Sequence, residues 1–323
     1  MNRRGIELAA DEINAKGGVD GRLLRVEYKN DEADGARAVA IAKGFVDDPR
    51  VLAVIGHVTS GAMVAAAKVY DGNLAAVSTT ATSPDLTGIS RWVFRVISSD
   101  SANGMDLGQF AARMGHKRAA ILYENDSYGR GLADSFRRNF SGAIVTIDPI
   151  SAADTDFEPF ITYYQRHAVD VVFVAGTEGT GMRILREARR QHLAADFIGG
   201  DGWTGIVADS AASEGAYVGA PFAASDQRPE VQRFVSAFKE KYGMTPDGNA
   251  ALAYDATKLI AQALHARGAN RFAIRDYLAS LDESTAFHGV TGLIRFHDTG
   301  DPVGKGIVMT RVHHGDLIVV SGQ

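Results

Sequence analysis

The stretch that decides the fold is Val51–Thr87, VLAVIGHVTSGAMVAAAKVYDGNLAAVSTTATSPDLT. Two apolar runs of strand length, Val51–Ile55 and Leu74–Val77, are rich in β-branched residues. The first breaks into Gly56-His57-Val58-Thr59-Ser60-Gly61, the second into Ser78-Thr79-Thr80-Ala81-Thr82-Ser83. Between them, Met63, Ala66, Ala67 and Tyr70 fall at helical spacing. The unit reads as strand–helix–strand, and in an open α/β sheet both polar turns lie at the carboxyl ends of neighbouring strands, where such sheets bind ligands. Ser60 and Gly61 open a helix, so backbone N–H groups, a hydroxyl and the positive end of the helix dipole suit an anion, most simply a carboxylate. Either turn alone reads as caps and turn formers; two adjacent hydroxyl-rich turns at one sheet edge read as a site.

Upstream of this stretch, Ile6, Ala9, Ala10 and Ile13 mark a helix that ends in Lys16-Gly17-Gly18, Leu23–Tyr28 alternates as a strand, and Ala36–Val46 is a second helix. Downstream, Trp92–Ile97 is a strand, and a second α/β series follows. Its strands are Arg118–Tyr123, Ala143–Ile147, Val169–Ala175, Phe197–Gly199 and Gly215–Ala220; its helices are Tyr128–Phe140, Phe157–His167 and Gly179–Gln191. Helices at Pro229–Tyr242, Ala250–Ala266 and Phe272–Leu281 and strands at Gly292–Phe296, Ile307–Val312 and Leu317–Val320 close the chain. The fold class is α/β: two lobes, each with a mostly parallel sheet, with crossings near Ile97 and Pro221. The expected division is 1–97 with 222–298 for lobe 1, and 98–221 with 299–323 for lobe 2.

The chain has 323 residues, a net charge of −5 and no cysteine. Disulfides, thiolate metal sites and a cysteine nucleophile are excluded. Acid and base are mixed throughout, without a nucleic-acid footprint, and no apolar run approaches the ~20 residues of a membrane span. Neither a G-x-S-x-G elbow nor a G-x-x-x-x-G-K-[ST] loop occurs, no G-x-G-x-x-G is read after a strand, and neither nucleotide chemistry nor a cofactor is expected. His57 and the pair His313-His314 lack metal-ligand spacing and read as surface or turn histidines, so no metal is expected.

Together, IGHVTSG, VSTTATSPDLT, ILYENDSYGRGLA, FIGGDGW and ALAYDA, with GIELAADEINAKGG near the start, make the chain resemble the type I periplasmic binding proteins of branched-chain amino acid ABC importers, the leucine/isoleucine/valine-binding group. The likeness runs from Gly5 to about Val312. It implies two flavodoxin-like lobes joined by three crossings, closing on a ligand in the cleft between them. It also implies a carboxylate held by Ser60 and by Thr80, Ala81 and Thr82, an ammonium met by Asp201, and Tyr128 covering the ligand. Thr177 and Glu178 fall where leucine binders carry aromatics, which points to a more polar side-chain pocket.

The resemblance further implies a small-molecule ligand, an amino acid or related carboxylate, a membrane permease as partner, and a periplasmic location. Met1-Asn2-Arg3-Arg4-Gly5 is neither a signal peptide nor a strand, and the family carries a strand before the first helix. The expectation is therefore that lobe 1 lacks its first strand, an interior one; the rival expectation is that a tail strand, Ile307–Val312 or Leu317–Val320, fills its place. A ligand-sensing receptor or regulator domain of the same fold is the alternative function. An enzyme using Asp201 and Glu178 as acid and base is disfavoured, because nothing marks a nucleophile or cofactor.

Overall fold

A computed structural model describes residues 1–320 as two compact units, one of Met1–Ser99 with Asp226–Lys305 and one of Asp100–Ser225 with the chain from Gly306 onward. In chain order the first unit begins with α1 (Asn2–Ala15), α2 (Gly35–Asp47), β1 (Val54–Ile55), α3 (Ser60–Tyr70), β2 (Ala76–Ser78) and β3 (Val93–Arg95). The second unit runs through α4 (Asp100–Arg113), β4 (Arg118–Glu124), α5 (Ser127–Asn139), β5 (Ala143–Ile150), α6 (Glu158–Arg166), β6 (Val171–Ala175), α7 (Glu178–Arg190), β7 (Asp196–Gly199), α8 (Ser210–Ser213) and β8 (Tyr217–Ala220). The first unit resumes with α9 (Pro229–Tyr242), α10 (Gly248–Arg267), α11 (Arg271–Ala279) and the hairpin of β9 (Phe287–Gly289) and β10 (Gly292–Ile294). The second closes with β11 (Val308–His313) and β12 (Asp316–Val319).

In the first unit β1, β2 and β3 pair in parallel, in that order. Alternation along the chain sorts side chains to two faces. Ala75 and Val77 pack with Leu252, Leu259 and Ile274, while Leu74 and Ala76 pack with Met63, Ala66 and Tyr70 of α3. In the second unit the order is β12-β11-β8-β7-β6-β4-β5, parallel from β5 through β8 and antiparallel at β11 and β12. The parallel part has the flavodoxin-like order 2-1-3-4-5. Its central strand β6 is buried along its whole length, on both faces, as a continuous apolar run requires.

Three expectations about the strands fail. Leu23–Tyr28 forms no strand: the N–H and C=O of Leu24 are taken by the Asn14 side chain at 2.7 and 2.9 Å, and Leu23 is 71% exposed. The strand expected over Val51–Ile55 shrinks to Val54–Ile55, because the Val51 N–H closes a turn onto Asp48 and its carbonyl accepts from Arg271 at 2.7 Å. The tail strands do not enter the first unit's sheet; β11 pairs with β8 and β12 with β11.

Close packing at the end of β7 gives a first prediction. A Cβ on Gly199 would lie 2.0 Å from the Trp203 ring, which is fully buried and has no room to yield. Gly199→Ala is expected to destabilise the protein by about 1–3 kcal/mol or more, read as a lower urea midpoint; an unchanged midpoint would show that the ring moves freely.

Candidate functional site

Each unit carries one half of the residues singled out in the sequence. In the first unit, α3 starts at Ser60 immediately after the β1 turn, and its first turn holds no acidic side chain and no side-chain cap bond. The positive end of its dipole therefore meets no acidic side chain of its own first turn. Hydroxyls then stitch the two turns together. Ser60 Oγ accepts from the N–H groups of Thr82 at 3.2 Å and Ser83 at 3.1 Å. Ser78 Oγ donates to the His57 carbonyl and accepts from Ala81 N–H, while Thr80 Oγ1 donates to the Val58 carbonyl at 2.6 Å. Ser60, Ala81 and Thr82 are buried. Thr59 Oγ1 and Thr82 Oγ1 are buried without a hydrogen-bond partner among the described residues. Thus Ser60, Ala81 and Thr82 come together at one strand-end pair, and Thr80 lies beside them with its hydroxyl turned back onto the backbone.

Two residues behind these turns carried too little local signal to be read. Arg95 of β3 is 2% exposed and donates to the carbonyls of Thr82 and Ser83, each at 2.9 Å, to Thr87 Oγ1 and to Asp301 at 2.7 Å. It fixes the β2 turn from behind; the available signal was a lone cation inside the apolar run Trp92–Ile97. His57, expected as a surface or turn histidine, sits in the turn but is buried. Its Nδ1 lies 2.6 Å from Asp31 Oδ2 and its Nε2 2.8 Å from the Tyr70 hydroxyl. An acid from the loop before α2 and a phenol on α3 satisfy both ring nitrogens, which makes the burial tolerable.

In the second unit, the 3₁₀ turn Asp201–Trp203 follows β7, and Tyr128 lies in the first turn of α5. The Tyr128 hydroxyl donates to Asp201 Oδ1 at 3.2 Å and accepts from the Gly202 N–H at 3.1 Å. Burial pushes the Asp201 carboxyl up to about 6, opposed by the hydrogen bond from Tyr128, and burial likewise raises the Tyr128 hydroxyl well above its usual range. Glu124, at the end of β4, was not read in the sequence. Its Oε1 accepts from the Thr177 N–H and from the hydroxyls of Thr177 and Thr180, at 3.0, 2.7 and 2.5 Å. It caps α7 in place of a side-chain cap from Thr177. Thr177 and Glu178 are exposed. The hydroxyl of Thr177 is committed to Glu124, and the Glu178 carboxylate lies over Gly205, where a Cβ would meet it at 1.6 Å.

The run Gly200-Asp201-Gly202-Trp203-Thr204-Gly205 has the G-x-G-x-x-G spacing directly after β7, a match the expectation of no nucleotide chemistry overlooks. It opens only the three-residue 3₁₀ turn, with a buried carboxylate where a pyrophosphate would need N–H donors, so it does not make a dinucleotide site.

Hydroxyls thus gather at paired strand ends in one α/β unit, and a buried acid stands beside a tyrosine in the other. The chain belongs to the periplasmic binding protein family, whose pattern matches residues 1–316. A leucine-, isoleucine-, valine-, threonine- and alanine-binding protein of Pseudomonas aeruginosa is 31% identical over 313 residues, covering 93% of this chain and 82% of that protein. An ABC transporter substrate-binding protein of Desulfitobacterium hafniense in complex with Leu is 34% identical, with a TM-score of 0.87 over 99% of this chain and 95% of that one. A branched-chain amino acid transporter substrate binding protein of Streptococcus pneumoniae in complex with isoleucine is 29% identical, with a TM-score of 0.90 over 99% and 94%. This chain is a solute-binding protein of that transport family, not an enzyme. No helix among the described residues is long and apolar enough to cross a membrane.

Proposed function

We propose that the protein binds a small α-amino acid and delivers it, in the periplasm, to the membrane permease of an ABC importer. The first unit supplies donors for the carboxylate, the Ser60 and Thr82 hydroxyls, set against the backbone turn of Thr80, Ala81 and Thr82. The second supplies Asp201 for the ammonium, with Tyr128 against the ligand and Thr177 and Glu178 near its side chain. The observation that carries this reading is the state of the hydroxyls at the head of α3. Thr82 Oγ1 has no partner among the described residues although fully buried, and Ser60 Oγ accepts two N–H bonds, which leaves its own hydrogen to donate. Buried hydroxyls are ordinarily bonded, and a carboxylate is the acceptor that a helix N-terminus favours. The names of the relatives, which bind leucine, isoleucine and other amino acids, support the same class.

The test is a thermal-shift screen of leucine, isoleucine, valine, threonine, alanine and more polar amino acids, each beside its amide and its deaminated acid. A true ligand at 100 times its Kd is expected to add about 2.7 kcal/mol of stability, and its two derivatives far less. Equal stabilisation by the amide would remove the carboxylate half of the reading; equal stabilisation by the deaminated acid would remove the ammonium half.

A further inference from the structure

Away from these residues, the far end of the second unit gathers three metal-binding side chains that sequence spacing does not connect. Glu214 lies in the turn before β8, and His313 and His314 lie at the tip of the β11–β12 hairpin, about a hundred positions later in the chain. Their ligand atoms, one carboxylate oxygen and one nitrogen from each ring, all lie within 4.8 Å of one another. His313 Nδ1 is 3.0 Å from Glu214 Oε1, and the His314 N–H donates to Glu214 Oε2 at 2.9 Å.

Neighbouring residues on a strand point to opposite faces, so His313 and His314 would ordinarily diverge. They do not, because His314 takes a left-handed conformation at φ 51°, followed by Gly315 at φ 83°, in a two-residue hairpin turn. That turn returns the second ring to the side of the first, with centroids 4.0 Å apart. Asn-Gly is the ordinary choice for such a turn; histidine there gives up local preference and gains a second imidazole beside Glu214.

We propose that Glu214, His313 and His314 form a surface site for a divalent transition-metal ion such as Zn²⁺, which clips the β11–β12 hairpin to the turn before β8. Two imidazoles and one carboxylate are a donor set that suits Zn²⁺, with water completing the shell. Donors around a tetrahedral Zn²⁺ stand roughly 3.4 Å apart, so rotation of exposed side chains is enough to close the present arrangement.

The experiment is calorimetric titration of zinc chloride into the full chain carrying no polyhistidine tag, at neutral pH. One ion per chain is expected to bind saturably. Glu214→Gln and His314→Asn should each weaken that binding by about tenfold or more, and the double substitution should remove it. Both side chains are exposed and asparagine suits the left-handed turn, so the metal-free variants should melt as the parent does and keep their amino-acid binding. A parent without saturable binding would overturn the proposal, as would a double variant that binds as tightly as the parent.

Discussion

Arg95→Ala is expected to destabilise the first unit by about 3–5 kcal/mol and to weaken ligand binding in whatever fraction remains folded. Removing one partner of a buried ion pair leaves the other charge uncompensated, which is the origin of that magnitude. Here Asp301, 17% exposed in its side chain, would lose the guanidinium at 2.7 Å. The carbonyls of Thr82 and Ser83 would lose their donor in the same step. Those carbonyls belong to the turn whose N–H groups bond Ser60, so the side of the turn that meets Ser60 is held by the cation behind it. Arg95→Lys separates the two roles. A lysine keeps the charge beside Asp301 but lacks the planar fork that reaches two carbonyls and an aspartate together. It should recover part of the stability and less of the affinity. Urea denaturation with calorimetric titration of the best amino acid from the screen measures both; an Arg95→Ala protein with the parent's midpoint and affinity would refute the assignment.

What could be read in the sequence follows from how locally each feature is encoded. The parallel strand β6 is a continuous apolar run and β4 is one between its charged ends, and α5, α7 and α9 carry helical periodicity within their own residues, α5 with its own Asp126 cap. The hydroxyl-rich turns after β1 and β2 were visible for the same reason. Leu23–Tyr28 misled because alternation records side-chain preference, whereas a strand exists only when a neighbour takes its N–H and C=O groups; at Leu24 a single asparagine side chain takes both. Arg95, Glu124 and His57 escaped because their partners are distant in sequence: Asp301 for Arg95, Thr177 and Thr180 for Glu124, Asp31 for His57. A buried charge announces that a partner exists without saying which residue it is.

Asp201 gives the second large effect, in pH dependence. Its carboxyl stands at about 6 in the folded protein, because burial penalises the charged form, against roughly 3.9 for an exposed aspartate. The folded chain therefore holds this proton more tightly than the unfolded one. The corresponding stability is fully present below about pH 4 and lost as pH rises through about 6, an effect of order 3 kcal/mol at most. A ligand ammonium reverses the preference, since it interacts well only with the ionised carboxylate. Under the proposed reading, amino-acid affinity should be level above about pH 6 and fall by about tenfold per unit below it, with a proton released on binding. Calorimetry at pH 5 in two buffers of different ionisation enthalpy measures that release directly. Asp201→Asn should abolish the pH dependence, which separates Asp201 from every other group that titrates in this window. It should also weaken amino-acid binding by about 2–5 kcal/mol, the cost of leaving one charge of a buried pair alone, while the deaminated acid is nearly unaffected. Affinity that stays constant from pH 5 to 7, or equal losses for the two ligands, would mean that Asp201 holds the β7 turn and Tyr128 in place and does not meet the ammonium.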